Sequence, residues 1–394
     1  MLRNIFFISI LFFTALAKDM MANEKNNTKL LDNGVETMLK DSIQQKKNII
    51  QKVKAYFDES NVVKEEKAFD VSFIGGPHFS SDTKLGLGLV ASGLYRIDKA
   101  DRSISPSNIS LYGDVTTLGF YVIGIRSNTI FPKEDYRIDF VTYFASQPTR
   151  YWGIGYQNGR QDDYTEYTGK EIYLKLDLLK KIIPNTYLGV TGEFINRNGS
   201  KFDDISYLQG EARVSSYGGA GLNLSYDTRD FIPNPAKGIY AQIEYIIYPH
   251  FVGNRNTISK TNAVFRTYQK VWTGGILAFD LQGTFQGGDI PWNMMVLSGG
   301  SRQMRGYYEG RYRDRMMVSA QVELRQHVWR RNGIVLWSGA GNLFHDFQKF
   351  EIKETLPTFG IGYRWEFKNR VNVRLDYGIG KGESAFYFNI NEAF

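Results

Sequence analysis

Apolar and polar residues alternate with a period of two through most of the chain after residue 70. In one segment Leu277, Phe279 and Leu281 share a face, while Asp280 and Gln282 share the other. Successive side chains of a β-strand point to opposite faces of the sheet, so this alternation indicates strands with one apolar and one polar face. The same pattern recurs in the segments 239–247, 318–325 and 371–377. The chain is therefore predicted to be all-β.

The alternating segments, with turn residues between them, predict sixteen strands of about ten residues each. Eleven of them precede a long arginine-rich loop and five follow it. The predicted strands are 84–96, 107–116, 118–127, 135–145, 149–157, 166–180, 185–195, 213–226, 238–248, 259–272, 275–286, 314–328, 333–344, 356–367, 370–380 and 384–394.

The connections between these strands alternate in length. Connections that follow an even-numbered strand are short, such as Thr117, Thr273–Gly274 and Lys368–Asn369, with Asp227–Lys237 as the one long exception. Connections that follow an odd-numbered strand are long, and they include 158–165, 196–212, 249–258, 287–313 and 345–355. Short periplasmic turns and long outer loops are typical of outer-membrane barrels.

Alternation also fits a soluble β-sandwich, so other features must distinguish the two classes. The mean hydropathy is −0.34, and no apolar run reaches the roughly 20 residues that a membrane-crossing helix needs. Aromatic residues cluster near predicted strand ends, at Tyr151–Trp152, Trp272, Trp329 and Trp365, as in the interfacial girdle of a barrel. Because only a closed barrel satisfies every backbone group of a sheet in lipid, we expect a 16-stranded transmembrane antiparallel β-barrel.

The N-terminal part of the chain differs from the rest. Residues 1–17 contain one early charge, Arg3, then an apolar run and an Ala-Leu-Ala end, which indicates a cleaved secretory signal peptide; an anchoring helix is the alternative. Residues 18–69 are polar, with apolar residues at helical spacing that predict an amphipathic helix over 35–58. This short helical segment belongs to a periplasmic linker that is either a mobile tether or a helix docked in the barrel or on a partner. Residues 70–394 are the predicted barrel.

Charge and reactive residues exclude several functions. The net charge of +7 comes from 48 basic and 41 acidic residues mixed along the chain, so no nucleic-acid partner is expected and outer-membrane lipids are the expected surroundings. The histidines His78, His250, His327 and His345 lie outside any catalytic or metal-binding motif. An outer-membrane protease or phospholipase would need such a motif. We therefore expect no enzyme activity, no catalytic residue, no metal and no cofactor.

The loop Ser298–Arg315 carries five arginines among eighteen residues and lies between the eleventh and twelfth predicted strands. It contains the triplet Arg305, Gly306 and Tyr307. This loop resembles the sixth outer loop of the BamA/TamA outer-membrane superfamily of Gram-negative bacteria, also called bacterial surface antigen barrels, in which an Arg-Gly-aromatic triplet is the core. An ordinary exposed cationic loop is the alternative. The resemblance covers roughly residues 71–394.

A second motif and the final strand carry the same resemblance. The segment Ser225–Tyr240 is similar to the family's Asp-x-Arg-Asp turn, which is followed by Pro and Gly. The matching residues are Asp227, Arg229, Asp230 and Gly238. The final strand resembles the signature by which outer-membrane barrels are recognised for assembly, although Glu392 occupies one apolar position. The residues expected to share its apolar face are Phe386, Phe388, Ile390 and Phe394.

The resemblance implies that the loop folds back into the barrel lumen, where its arginine contacts acidic groups of the inner wall. The resemblance, together with the inward phase of the twelfth strand, makes Glu323 the expected partner of Arg305. The family often adds an aspartate on the thirteenth strand, where this chain has Gly339, while Asp376 and Asp280 also face inward. Because we expect a wet lumen, loss of the pair should cost less than the ~3–5 kcal/mol of breaking a dry buried pair.

The resemblance also implies a function in assembly, insertion or translocation of outer-membrane proteins. Client strands would add by edge pairing at a seam between the first and last strands, near 84–96 and 384–394. Family members that handle clients normally carry N-terminal periplasmic domains, and residues 18–69 are too few for one. We therefore expect a short member of the family, in which residues 18–69 recruit a separate periplasmic partner or client proteins. The alternative is a passive pore or structural barrel.

Overall fold

The computed structural model describes most of the region predicted to be the barrel. The described residues are 69–80, 83–98, 104, 106–232, 234–368 and 370–394. The predicted signal peptide, the linker and the amphipathic helix over 35–58 lie outside the described residues. Within the described ranges, no helix has the length and apolarity needed to cross a membrane.

The described residues form one sixteen-stranded antiparallel sheet and one ribbon of two short strands. In chain order the strands are β1 (Phe69–Ser80), β2 (Lys84–Tyr95), β3 (Ser107–Thr116), β4 (Tyr121–Ile130), β5 (Tyr136–Tyr151), β6 (Thr165–Ile183), β7 (Thr186–Ser200), β8 (Val214–Asp227), β9 (Gly238–Tyr248), β10 (Ile258–Trp272), β11 (Gly275–Gly288), β12 (Val296–Leu297), β13 (Arg313–Asp314), β14 (Met316–Trp329), β15 (Asn332–Phe344), β16 (Leu356–Lys368), β17 (Val371–Ile379) and β18 (Ser384–Ile390). The helix α1 (Tyr156–Arg160) follows β5, and short 3₁₀ helices lie in the connections at Pro132–Glu134, Ile205–Leu208, His250–Val252, Phe347–Lys349 and Ile352–Glu354.

Each strand of the large sheet pairs with its neighbours in the chain, and β11 pairs with β14 across the β12–β13 ribbon. Leu222 of β8, for example, lies between Val190 of β7 and Tyr245 of β9. The strands at the two ends of this order, β1 and β18, contact each other. Among the described residues, no hydrogen-bonded register joins these two strands. The sheet therefore curls until its first and last strands lie side by side.

The two faces of the sheet have inverted polarity relative to a soluble protein. On β8 the side chains of Leu222 and Leu224 are exposed, whereas those of Asn223 and Asp227 are buried. Charged groups from strands that are not neighbours meet on the buried face, as Arg137 of β5 does with Asp227 at 3.0 Å. Such contacts require the sheet to curve toward its polar face. The apolar face is therefore the outer face.

The apolar core lies inside the curved sheet, where the connection between β11 and β14 packs against the inner wall. One cluster joins Met304, Tyr307 and Tyr312 of this connection to Met317 and Leu356 of the wall. Burying these side chains removes apolar surface from water and holds the connection inside. The core therefore stabilises the position of a loop as well as the sheet.

Two features of the strand pattern differ from the sequence prediction. The sequence does not predict β1 because Gly75, Gly76 and Pro77 interrupt its alternation. The pattern also breaks around a proline within β5 and divides that strand into 135–145 and 149–157, whereas β5 is continuous and is followed by α1. The prediction thus omits β1 and counts β5 as two strands, and these two errors leave the number of strands unchanged. The predicted total of sixteen, with eleven before the loop and five after it, therefore agrees with the sheet.

Because the prediction omits β1, it assigns the first connections to the wrong ends of the sheet. Thr117 lies in the short connection 117–120, which joins β3 to β4 at the end of the sheet where the long connections lie, contrary to the prediction. The longer connection 96–106 lies at the opposite end. From β5 onward, long and short connections alternate as predicted. The end with the long connections is the one that receives the β11–β14 connection.

Candidate functional site

The connection between β11 and β14, residues 289–315, is folded against the inner wall. The β12–β13 ribbon forms its base, and the amide of Ser298 donates to the carbonyl of Tyr312 at 3.0 Å. Met304 and Tyr307 at its tip are buried. The tip is therefore an internal element, and the alternative of an exposed cationic surface loop is wrong for this part of the chain.

Gly306 brings the backbone of the loop directly against β17. Its φ of 111° lies in the left-handed region, and an added Cβ would lie 2.7 Å from backbone atoms of Ile379. From the opposite side, a Cβ on Gly378 would lie 2.7 Å from the backbone of Arg305. The two backbones approach this closely only because neither glycine has a side chain. This contact fixes the depth at which Arg305 enters the wall.

Arg305 is held between two carboxylates on different strands. Its Nη1 donates to Asp376 of β17 at 2.7 Å, and its Nη2 donates to Glu323 of β14 and to Gln321 at 3.2 Å. The guanidinium also lies 3.9 Å from the ring centre of Trp337, a cation–π contact. The side chains of all three charged residues are 0% exposed. The expectation of a wet ion pair is therefore wrong at this position.

Further arginines and a third carboxylate extend this ion pair into a cluster. Glu323 accepts from Arg325 at 2.9 Å. Asp376 accepts from Arg364 at 2.6 Å and from Arg374 at 3.3 Å. The third carboxylate, Glu392, accepts from Arg364 at 2.7 Å. The cluster consists of Arg305, Arg325, Arg364, Arg374, Glu323, Asp376 and Glu392. Four guanidinium groups against three carboxylates give a formal charge of +1, so each carboxylate has at least one cationic partner.

The position expected for a second family carboxylate cannot hold one in this chain. Gly339 of β15 lies opposite Gln321 of β14. A Cβ on Gly339 would lie 2.6 Å from the carbonyl oxygen of Ala320 and 2.8 Å from the Cβ of Gln321. The second carboxylate is supplied instead by Asp376, two strands further along the sheet. The loop arginine therefore connects β14 with β17.

Tyr307 binds the loop to the beginning of β16 and to the turn between β17 and β18. Its hydroxyl donates to the carbonyl of Pro357 at 2.7 Å and accepts from the amide of Lys381 at 2.8 Å. The next amide, of Tyr308, donates to Glu383 at 3.0 Å. Burial raises the pKa of Glu383, while this amide and Arg311 act in the opposite direction. The turn between β17 and β18 is therefore bound to the loop by both backbone and side chains.

The Asp-x-Arg-Asp turn is held by ion pairs at both of its aspartates. Arg229 donates twice to Asp227, at 2.9 Å each, and Arg137 contacts the same carboxylate. Asp230 pairs at 2.9 Å with Arg370 of the turn between β16 and β17. Burial opposes ionisation of Asp230, but hydrogen bonds from Arg370 and from the backbone outweigh it and lower the pKa of Asp230. The turn therefore reaches strands that are not its neighbours in the sheet.

Gly238 closes the same turn. Its φ is 110°, and a Cβ there would overlap the carbonyl oxygen of Thr228. The amide of Thr228 donates to the carbonyl of Ile239 at 2.8 Å across the turn. A glycine is therefore needed where β9 begins.

The last strand ends earlier than predicted. Its outward positions are Phe386, Phe388 and Ile390. At Asn391 the backbone adopts a φ of 67°, so Phe394 no longer shares this face and is buried. Its ring lies 6.4 Å from that of Tyr268. The prediction that all four apolar residues share one face is therefore wrong for Phe394, and Glu392 turns inward to the charged cluster.

Three arginines of the cluster, Arg325, Arg364 and Arg374, were not among the predicted site residues. Each occupies an inward position on a strand whose opposite face is apolar. A charged residue at such an inward position needs a partner. The alternation of polar and apolar residues could therefore have identified these three arginines as site residues. The sequence does not reveal which strands meet at the loop.

The described residues contain no group of three or more histidine, aspartate and glutamate residues that could hold a metal ion. His250, His327 and His345 lie in or beside separate connections and contact neighbouring groups there. The cluster around Arg305 therefore stands as the candidate site. Its ion pairs bind the loop to the inner wall of the sheet.

Comparisons with known proteins are consistent with this fold. Residues 126–394 match the family described as the Omp85 superfamily domain. No curated protein matches the chain. The structure of BamA from Haemophilus ducreyi lacking POTRA domains 1–3 is similar, with a TM-score of 0.53 and 12% identity over 82% of this chain and 70% of that chain. CdiB from Acinetobacter baumannii has a TM-score of 0.53 and 13% identity over 82% of this chain, which spans 60% of that chain. At these identities the likeness concerns the fold alone.

The charge balance of the cluster predicts an order of effects. Arg305→Gln changes the formal charge from +1 to zero and leaves each carboxylate another arginine, so we expect a loss of about 3 kcal/mol in the free energy of unfolding. Asp376→Asn changes the charge to +2 and removes a partner of three arginines, so we expect a loss of about 5 kcal/mol. Urea unfolding of the protein in lipid vesicles measures both. The exposed Arg255 provides the control, and Arg255→Gln should change stability by less than about 0.5 kcal/mol. A larger loss for Arg305→Gln than for Asp376→Asn would contradict the assignment.

Gly306→Ala should release the loop from β17 because its Cβ has no space against the Ile379 backbone. Gly382 is the matched control, since its φ of 77° is also left-handed but no atom lies within 4 Å of an added Cβ. Gly382→Ala should cost only the about 1–2 kcal/mol of the backbone conformation, whereas Gly306→Ala should cost more and expose the loop arginines to trypsin. Limited proteolysis of the folded protein detects this. Equal cleavage of the two variants would refute the proposed packing.

Proposed function

Because the chain belongs to the Omp85 superfamily, we propose that residues 69–394 form an outer-membrane β-barrel that assembles or translocates other proteins. The sheet curls until β1 and β18 contact each other, and we propose that this contact closes a transmembrane barrel. The single observation that carries the proposal is the seam: two edge strands in contact, without a hydrogen-bonded register among the described residues.

The distribution of apolar side chains supports a lipid-facing outer surface. Exposed apolar residues occur along most strands of the sheet, and Leu222, Val190 and Tyr245 form an adjacent exposed group on β7, β8 and β9. An exposed apolar surface of this extent is unfavourable in water. In a membrane the same surface faces hydrocarbon, and the backbone groups are paired within the sheet.

The seam has the properties of a site for strand addition. β18 contains seven residues, whereas its sheet neighbour β17 contains nine and β5 contains sixteen. A short edge strand offers few hydrogen bonds to a permanent partner. An incoming client strand can therefore compete for the edges of β1 and β18 by backbone pairing.

The charged cluster supplies the rigidity that such a seam requires. Through Arg305 and the following amide, the loop contacts Glu323 on β14, Thr358 on β16, Asp376 on β17 and Tyr387 on β18. These contacts hold four of the five closing strands to one internal element. We propose that the loop keeps the C-terminal strands in place while the seam between β1 and β18 opens.

A disulfide across the seam tests the proposed function. The chain has no cysteine, so pairs can be introduced one at a time, with one residue in β1 and the other in β18. A pair that forms a disulfide in the folded protein should lower the amounts of other outer-membrane proteins in cells that depend on the locked variant. Reduction of the disulfide should restore them.

A disulfide between strands that are already paired is the matched control. Ala91 of β2 lies opposite Leu111 of β3, and a cysteine pair at these positions should leave the amounts of other outer-membrane proteins unchanged. Normal amounts in cells with the seam-locked variant would contradict the proposal. If the locked variant also conducted ions steadily, the passive pore would be the better description.

A lysine on the outer face tests whether this face contacts lipid. Leu222 is 61% exposed on β8, and Leu222→Lys should destabilise the protein in lipid vesicles by about 2–4 kcal/mol because its charge would lie in hydrocarbon. Ile205 is 44% exposed in a connection, so Ile205→Lys should cost about 0–1 kcal/mol. Urea titration in vesicles measures both. Equal costs would show that Leu222 does not face the membrane interior.

A further inference from the structure

A cavity of about 130 Å³ lies between the β11–β14 connection and the inner wall formed by β5, β6 and β7. The loop side of the cavity includes Trp292, Glu309 and Arg313, and the wall side includes Gln147 of β5 and Gly169 of β6. A concave site of this kind, with an aromatic side chain and a few polar groups, is typical of places where small molecules bind. The charged cluster around Arg305 does not contribute to its lining.

The contacts around the cavity fix its shape. Glu171 of β6 accepts from Nε and Nη2 of Arg197 of β7, at 3.1 and 3.3 Å, and from the Tyr143 hydroxyl at 2.8 Å. Nη1 of Arg197 donates to the carbonyl of Asn293 at 2.7 Å, which joins the wall to the loop. Lys170 also lines the cavity, but it is exposed and has the outward phase of β6. Two charges of the lining, Glu309 and Arg313, remain to be explained.

Arg313 is buried, with one side of its guanidinium held by the protein. Its Nε and Nη2 donate to the carbonyl of Gly310 at 3.2 and 3.1 Å, and its guanidinium lies 4.7 Å from the ring centre of Tyr151. Within the described ranges, Arg313 has no carboxylate at ion-pairing distance, and its Nη1 donates to no acceptor. A buried cation without a counter-charge is unfavourable. Nη1 is therefore a donor available to a ligand.

Glu309 is the unpaired anion of the same cavity. Among the residues that the structure describes, its carboxylate accepts no hydrogen bond and has no cation at ion-pairing distance. It lies beside the loop backbone, since a Cβ on Gly300 would lie 3.2 Å from Oε2 of Glu309. Other inward carboxylates are paired, as Asp280 is with Arg266 at 2.7 Å. Glu309 is exposed, so a ligand can reach it from solution.

Uncharged polar groups of the lining also lack partners. The side chains of Gln147 and Thr149 on β5 make no hydrogen bond within the described part of the chain. Oδ1 of Asn293 is buried and has no hydrogen-bond partner either. Buried polar groups in folded proteins usually have a partner, so unpaired ones indicate where water or a ligand lies. The cavity therefore combines two unpaired opposite charges with several free hydrogen-bonding groups.

We propose that this cavity binds one small zwitterion, a molecule with an ammonium group and a carboxylate, such as a free amino acid. The carboxylate accepts from Nη1 of Arg313 and the ammonium donates to Glu309, so one ligand pairs both charges. Gly169 leaves space for it, because a Cβ there would have only ordinary contacts, at 3.4 Å to Tyr167 and 3.6 Å to Thr149. The site is independent of the proposed assembly function, because it uses neither the seam nor the Arg305 cluster.

Equilibrium dialysis of the full chain in detergent tests the proposal with radiolabelled glycine and γ-aminobutyrate, which differ in the spacing of their two charges. At least one of them should bind the wild type saturably, with one site per chain. Acetate and methylammonium carry only one of the two charges and should bind at least about tenfold more weakly, because each leaves one protein charge unpaired. Saturable binding of neither zwitterion, or equally tight binding of acetate or methylammonium, would overturn the proposal.

Variants then test the assigned roles. Glu309→Gln should weaken binding of the zwitterion at least about tenfold and leave acetate binding unchanged, whereas Arg313→Gln should weaken both. Gly169→Ala keeps both charges but places a methyl group in the cavity and should also weaken binding of the zwitterion. The control Arg255→Gln should bind as the wild type does. Unchanged binding of the zwitterion by Glu309→Gln would overturn the proposal.

A second measurement separates ligand binding from a structural role of Glu309. Because this carboxylate has no partner among the described residues, Glu309→Gln without ligand should unfold at the same urea concentration as the wild type. The zwitterion should raise the unfolding midpoint of the wild type in a saturable manner, as expected for a ligand that binds only the folded state. A lower midpoint of Glu309→Gln without ligand would show that Glu309 supports the fold, and it would contradict the assigned role.

Discussion

The Arg305 guanidinium lies without solvent exposure between Glu323 and Asp376, and the position of the loop depends on this interaction. Burying such charges is costly, and the cost is offset only when every group has partners with good geometry. Arg305 of the loop links Glu323 of β14 with Asp376 of β17. The close backbone contact at Gly306 brings that cation to the required depth, so a backbone constraint and an electrostatic one act together. The same loop also supplies apolar side chains that pack inside the curved sheet.

Much of the architecture follows from the sequence because period-two alternation is a direct consequence of pleating. The family resemblance implies that Arg305 meets an inward carboxylate, and the phase of its strand makes Glu323 a suitable one. The sequence places both Asp376 and Asp280 on inward faces but does not choose between them as the second partner, because strand order and curvature determine which distant residues meet. The sequence does not predict β1, because glycine and proline interrupt its alternation. It also does not predict that Phe394 lies inward, because the left-handed backbone at Asn391 follows the end of β18.

On the side of β14 to β18, each carboxylate of the charged cluster is paired with at least one arginine away from water, and the cluster keeps a formal charge of +1. Because these ion pairs join residues of different strands, the arrangement favours rigidity of the closing strands.

Amide hydrogen exchange of the folded protein in lipid tests most directly whether the loop is a fixed internal element. The amides of residues 304–308 are expected to exchange as slowly as those of β14, whereas the amides of the connection 249–257 are expected to exchange rapidly. Slow exchange would follow from burial and from hydrogen bonds to Tyr387 and Glu383. Exchange of residues 304–308 as rapid as that of 249–257 would show that Arg305 does not hold the loop to the closing strands.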